Sequence, residues 1–242
     1  FIPDIKRILE KMPKARRTGF FSATLLPRIL SLAETMVTDP VHVTINPEQP
    51  TVEKIRQHLL YVEKKDKDKL LASMIKAKGM DRVIVFTQMK HVANRVCQKL
   101  KQAGIHAAPI HGNRSQAQRT QALDGFRKGK VHVLVATDIA ARGIDVDGVS
   151  DIVNFDLPLE AENYVHRIGR TARAGANGKS WSFCTGEDRQ LLRNIERFIK
   201  NPIPSLTGDF HSEKAFNDCK ERGRPIKGNG GSCDDCIGYC DC

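Results

Sequence analysis

Nothing in the 242 residues approaches the run of about eighteen apolar residues that a membrane-crossing helix needs, and no basic-then-apolar leader opens the chain. No membrane partner is expected, and a cytoplasmic location is. Cysteine is scarce through the main body. Cys97 sits alone in a helical pattern and Cys184 alone in a strand pattern, where a free thiol behaves as a small buried hydrophobe. That excludes a disulfide scaffold for this part. No internal repeat of solenoid period is visible, so a stacked-repeat architecture is excluded too.

What is present is charge of one sign. The net charge is +11, and 34 Lys/Arg against 21 Asp/Glu fall within residues 1–202, a surplus of 13, while the last forty or so residues are slightly acidic. A basic globular part suits a partner with a phosphate backbone. Hydrophobic residues make up 40%, enough for a sizeable core.

Apolar spacing predicts helices over residues 1–14 and around Ile29–Met36, with strands at 20–24 and 41–45. Pro47 and Pro50, set among polar residues, mark a linker over 46–55. From residue 56 strands and helices alternate: strands at 56–62, 83–86, 107–110, 131–136, 151–155 and 180–184, helices at 67–78, 89–103, 115–127 and 187–199. Ser115-x-x-Gln118 fits a capping box, and Gly104 a helix stop. Such alternation implies parallel pairing through right-handed crossovers, hence an α/β fold with a doubly wound parallel sheet. We read one domain over 56–202 and the end of a preceding α/β domain over 1–45. Residues 203–242 read as a disordered tail, with Gly228 to Gly231 flexible by composition.

The chemistry concentrates between Val133 and Gly175. A β-branched run ends in Ala136-Thr137-Asp138, followed by Arg142-Gly143-Ile144-Asp145. Open α/β sheets place their ligands at such carboxyl ends of strands. About thirty residues on, His166, Arg167, Arg170 and Arg173 recur at three-residue steps, roughly one face of a helix. Three guanidiniums held close call for an anion among them, and a polyphosphate suits their planar fork of donors.

The pair T-D-x-x-x-R-G-x-D and H-R-x-G-R-x-x-R resembles motifs V and VI of the DEAD-box ATP-dependent RNA helicases, and is most similar to the bacterial RhlE-like branch. The resemblance implies a RecA-like sheet, a complete second helicase domain together with the end of the first. It assigns Asp145 to the ATP ribose hydroxyl. Arg170 and Arg173 match the two arginine fingers, catalytic groups that neutralise charge on the transferred phosphoryl group. Ala172 stands where many relatives carry Gly. Ser22-Ala23-Thr24 resembles motif III, which couples hydrolysis to duplex separation, and His166 and Arg167 would face the partner domain. For RNA it implies Thr137, Thr87 of motif IV, and His111, Gly112, Gln116 and Arg119 of H-G-x-x-x-Q-x-x-R. From its position alone Thr87 reads as a helix N-cap, and it can be both. Binding would be largely independent of base sequence, since these groups address phosphates and sugars.

The sequence holds no G-x-x-x-x-G-K-[S/T] and no D-E-A-D. The phosphate cradle and the ligands of Mg2+ are therefore expected in an N-terminal RecA-like domain preceding Phe1, and the chain is expected to be an inactive portion of an ATP hydrolase. Two rival readings are a non-catalytic RNA-binding module and a DNA-directed helicase of the same superfamily. The four thiols Cys233, Cys236, Cys240 and Cys242 are spaced too tightly, with too few apolar neighbours, for an ordinary structural zinc site; no metal is expected.

Overall fold

Every strand of the sheet is parallel to its neighbours. The computed structural model describes residues 2–22, 27–37, 39–43, 55–141, 146–172, 178–208 and 210–221, in two units, Phe1–Glu48 and Gln49–Cys242. The first unit holds α1 (Ile2–Lys11) and α2 (Pro27–Glu34). α1 has the amphipathic spacing expected of it but buries none of its residues. The two strands anticipated here, 20–24 and 41–45, do not form among their described residues, 20–22 and 41–43, and Phe21 is 94% exposed. A strand exists through its ladder, and no described ladder includes these residues.

The second unit runs β1 (Ile55–Tyr61), α3 (Lys67–Ala77), β2 (Val83–Phe86), α4 (Lys90–Gln102), β3 (Ala107–Ile110), α5 (Gln116–Arg127), β4 (Val133–Ala136), a one-turn α6 (Asp138–Ala141), β5 (Asp151–Asn154), α7 (Ala161–Ile168), β6 (Gly178–Cys184), a 3-10 turn (Gly186–Asp188), α8 (Arg189–Ile199), β7 (Ser205–Leu206) and α9 (Glu213–Glu221). The strand order is β3-β4-β2-β5-β6-β1-β7. β2, β4 and β5 are buried along their whole length, as strands covered on both faces must be.

Alternate residues of these strands serve opposite cores. Val83, Val85, Val133, Val135 and Val153 meet Leu71, Met74, Val96 and Leu100 of α3 and α4. Ile84, Phe86, Leu134 and Ile152 meet Phe126 of α5 and the alanines of α6, while α7, α8 and α9 cover the other end of the same face. α5 opens on the expected capping box: Ser115 Oγ accepts from Gln118 N at 3.3 Å and Gln118 Oε1 accepts from Ser115 N at 3.2 Å.

The order after residue 202 corrects the sequence reading. Residues 203–208 and 210–221 are not a disordered tail. β7 pairs with β1, and Ile203, Ala215 and Cys219 are buried with Tyr61, Cys184 and Ile195. Cys219 brings its Sγ within 3.6 Å of Cys184 Sγ. The short apolar stretches, Ile203 to Leu206 and Ala215-Phe216, are too brief to carry a periodicity. They fold because a ready surface receives them. The rest of the chain's end, including the four clustered cysteines, lies outside the described residues, as do residues 46–54 of the linker expected over 46–55, while Ile55 opens β1.

A chain ending at Pro202 should accordingly be destabilised by roughly 3 kcal/mol or more, since burying one large apolar side chain contributes about 1.5–3 kcal/mol. Thermal melts of the two lengths should differ by about 6–12 °C. Equal melting temperatures would show that α9 and β7 contribute nothing to this core.

Candidate functional site

The carboxyl ends of β3, β4, β2 and β5 carry most of the residues singled out from the sequence, and one buried arginine ties three of these ends together. Arg167, on the inward face of α7, is 2% exposed. Its Nε donates to Asp138 Oδ1 at 2.6 Å and its Nη2 to Asp138 Oδ2 at 2.9 Å, a bidentate pair with the first residue past Thr137 at the end of β4. Its Nη1 donates to Asn154 Oδ1 at 3.1 Å and to the Asp156 carbonyl at 2.7 Å, both at the end of β5. The guanidinium lies over the ring of Phe86, the last residue of β2, 5.0 Å from its centroid. A planar fork suits this task, and a lysine could not reproduce it.

Asp156 extends the network. Its Oδ2 accepts from Gln88 N at 3.2 Å, and its Oδ1 from the ammonium of Lys67 at 3.2 Å. Lys67 is 4% exposed and also donates to the Phe155 carbonyl at 2.7 Å. Gln88 Nε2 donates to the Leu157 carbonyl at 2.8 Å.

The groups expected at RNA lie around this frame. Thr137 is half-buried, and its carbonyl accepts from Ala140 and Ala141 to start α6. Gln116 is exposed, and its Oε1 accepts from Arg119 Nη1 at 3.3 Å. Arg119 Nη2 reaches the Ala140 carbonyl at 3.4 Å, so the H-G-x-x-x-Q-x-x-R and T-D-x-x-x-R-G-x-D segments touch. A side chain at Gly112 would meet nothing within 4 Å, which leaves the backbone open to an approaching group.

His111 is buried; its Nε2 donates to Asn94 Oδ1 at 2.9 Å, an oxygen that Arg114 Nη2 also reaches at 3.2 Å. Burial, then Arg114 and Lys90, hold its imidazole below the usual histidine range. Nδ1 has no partner among the described groups.

Three expectations change. Thr87 is wholly buried and its hydroxyl donates to the Met89 carbonyl at 3.4 Å; the N-cap of α4 is Met89. Neither an open hydroxyl nor a capping role fits it. Arg167 does not face outward towards a partner domain, whereas His166 beside it is exposed. The helix bearing these arginines stops at Ile168, capped by Gly169, so Arg170 stands on the turn beyond rather than on a shared helical face. Arg170 is half-buried and already engaged in contacts. Ser22 is exposed; Ala23, Thr24, Asp145 and Arg173 lie outside the described residues, with Arg142 and Gly143.

The turn after Arg170 is tightly built. The Thr171 hydroxyl donates to the Val149 carbonyl, and a Cβ on Gly178 would fall 2.4 Å from Thr171 Cγ2, so only glycine fits there. Ala172 has φ 56, in the left-handed region that glycine adopts freely and alanine only at a cost.

Asp138, Asn154, Asp156 and Lys67 escaped the sequence reading. The first three lie within the quoted stretch, but a polar residue at a strand end looks the same whether it meets a ligand or its own domain. Lys67 opens a charged helix, and nothing in the letters marks it as buried. Among the described residues no three His, Cys, Asp or Glu side chains could hold a metal ion, and no helix is long and apolar enough to cross a membrane.

The sheet is parallel and doubly wound with basic and amide groups at its carboxyl edge, and its similarity to known proteins makes it a RecA-like helicase domain. Residues 66–175 match the helicase conserved C-terminal domain. The chain is 40% identical over 217 residues to the ATP-dependent RNA helicase RhlB of Pseudomonas syringae pv. tomato, covering 89% of this chain and 55% of that protein. It is 40% identical over 206 residues to the DEAD-box ATP-dependent RNA helicase CshA of Bacillus subtilis, covering 85% and 42%. Among solved structures, E. coli SrmB bound to the regulator of ribonuclease activity A superposes with TM-score 0.60 at 37% identity, covering 64% of this chain and 91% of that one. Saccharomyces cerevisiae Dbp5 bound to RNA and ADP BeF3 does so with TM-score 0.73 at 28% identity, covering 84% and 53%. The chain belongs to the DEAD-box RNA helicase family. It spans about half the length of the curated relatives it matches, and these matches specify the family rather than the RhlE-like branch.

Two tests follow from the geometry. Asp138→Ala should cost about 3 kcal/mol or more, because it strips the main counter-charge from a buried guanidinium, while Asp138→Asn, which keeps one acceptor, should cost less in denaturant titrations. Equal, near-zero costs would mean that Arg167 is held by Asn154 and Asp156 alone. The lowered pKa of His111 means that the unfolded chain takes up its proton first as pH falls. The contribution is complete above about pH 6.5 and is lost as pH drops towards the folded value. Stability should therefore decline from pH 7.5 to 5.5, with a shallower decline in His111→Gln.

Proposed function

We propose that this chain forms the second RecA-like half of an ATP-dependent RNA helicase, and that a first RecA-like domain completes the nucleotide site. The observation that best supports this is the contact of Arg119 with the Ala140 carbonyl, which joins the two segments assigned to RNA along one sheet edge. In this reading Thr137, Gly112, Gln116 and Arg119 meet phosphates and sugars of one strand, so affinity depends little on base sequence. His111 shapes the turn beneath them rather than touching RNA. Asp145 accepts from the ribose hydroxyl of ATP, and Arg170 and Arg173 donate to the oxygens of its γ-phosphoryl group. ATP supplies that group together with Mg2+, whose protein ligands belong to the first domain, since this sequence has neither a G-K-[S/T] cradle nor D-E-A-D. His166 faces that domain, and Ser22-Ala23-Thr24 couples hydrolysis to separation of a short duplex.

The arginines are the sharpest test. Joined to the N-terminal RecA-like half of a DEAD-box relative, the chain should hydrolyse ATP when RNA is added, and DNA should stimulate it less. Arginine fingers contribute about 10³–10⁵ in rate. Arg170→Ala should therefore lower turnover steeply while nucleotide-free RNA binding survives, and Arg170→Lys should rescue poorly. Normal turnover in Arg170→Ala would remove the finger assignment.

A further inference from the structure

The opposite, amino edge of the sheet carries cations that no described carboxylate pairs with. Asp151, Lys179 and Arg56 stand in register on β5, β6 and β1, and Val153, Trp181 and His58 form the next row on the same face. Arg56 and Lys179 are exposed and directly opposite one another, an arrangement of like charges that costs a sheet stability. Lys78, just past α3, sets its ammonium 5.0 Å from the Trp181 ring centroid, and His58 stacks on the same ring at 4.4 Å. None of the three cations forms an ion pair with a described acidic side chain. Asp151 is buried, and its Oδ1 is taken by the Trp181 indole N–H at 2.8 Å. The convergence registers on His58, whose imidazole is held below the usual range first by burial, then by Lys78, Lys179 and Arg56, with Asp151 alone opposing.

At the carboxyl edge, Arg167 and Lys67 are spent on Asp138 and Asp156. Here the positive charge is unspent, and the strands hold it in fixed rows. We propose that Arg56, Lys179 and Lys78 form a second contact for an RNA backbone, separate from the carboxyl-edge groups. The nature of the polyanion rests on the RNA reading above; the existence of the patch does not. An acidic protein surface suits it less. The exposed large apolar side chains described in this unit are Met89, Ile139, Leu159 and Phe198, and none stands on these rows, so the apolar centre of a protein interface is lacking. Trp181 is itself 4% exposed, so it braces the cations from beneath and offers no face to a base. Recognition is then of phosphates, with no base preference.

The protein carries its own reporter, because Trp181 is the one tryptophan in the sequence. Titrating the full chain with a uridylate 40-mer, binding is read by anisotropy of a labelled RNA and the patch by tryptophan emission. RNA should change the emission, and the change should fade with salt. Arg56→Glu with Lys179→Glu should abolish the emission change, and removing two phosphate contacts should flatten the salt slope by about 1.4. Arg56→Gln with Lys179→Gln serves where reversal disturbs folding, as judged by melting temperature. Arg119→Ala should weaken total affinity yet keep the emission change. RNA that binds with unaltered emission, and equally well in the double variants, overturns the proposal. So does an emission change produced by polyglutamate but not by RNA, which would assign the patch to an acidic protein. No binding by anisotropy in any form overturns the RNA reading itself, and this site with it.

Discussion

A guanidinium taken out of water must be met on every side, and the carboxyl edge of this sheet is arranged to do so. Arg167 is answered by Asp138 from β4, by Asn154 and the Asp156 carbonyl from β5, and by the Phe86 ring from β2. A buried ion pair contributes little net stability, but breaking one side of it is expensive. Its effect is therefore geometric: the ends of three strands and the last turn of α7 cannot shift independently. The segments flanking this knot, Thr137 on one side and the turn of Arg170 on the other, inherit that rigidity. Groups that must meet a phosphate within a fraction of an ångström need such support.

The same arrangement explains why motif letters and side-chain roles part company. Arg167 lies inside the most recognisable stretch of the sequence, among arginines that invite a ligand, and it is the one turned into its own domain. Spacing alone put four basic residues on one helical face; Gly169 ends that helix after His166 and Arg167, so the pattern spans a helix and a turn. Ala172 adds a second departure, holding a left-handed backbone that glycine adopts freely.

The strands that lie between two helical layers were legible because burial on both faces writes a continuous apolar run, as in 83–86 and 133–136. The opening of α5 was legible because Ser115 and Gln118 satisfy its first donors locally. Thr87 was not. A threonine after a strand has the same appearance whether its hydroxyl points to solvent or to the Met89 carbonyl. Nor were β7 and α9, whose structure comes from a surface that Leu59, Leu60 and Tyr61, far earlier in the chain, build together with Cys184 and Ile195. Lys67 belongs with these: its burial depends on Phe155 and Asp156, to which nothing near it in sequence refers.

The two margins of the sheet have a consequence for the molecule in a crowded solution. An open strand margin presents a row of unpaired amides on which another chain can grow. One margin is β3, whose four residues include Pro109, a residue with no amide hydrogen to offer. The other would be β1, seven residues long and rich in leucine, had β7 not paired with Leu59 and Leu60. A proline at one end and a two-residue strand at the other leave little ladder to extend. Where copies of the domain come close together, Pro109 on one flank and the β7 pairing on the other restrict strand-to-strand growth.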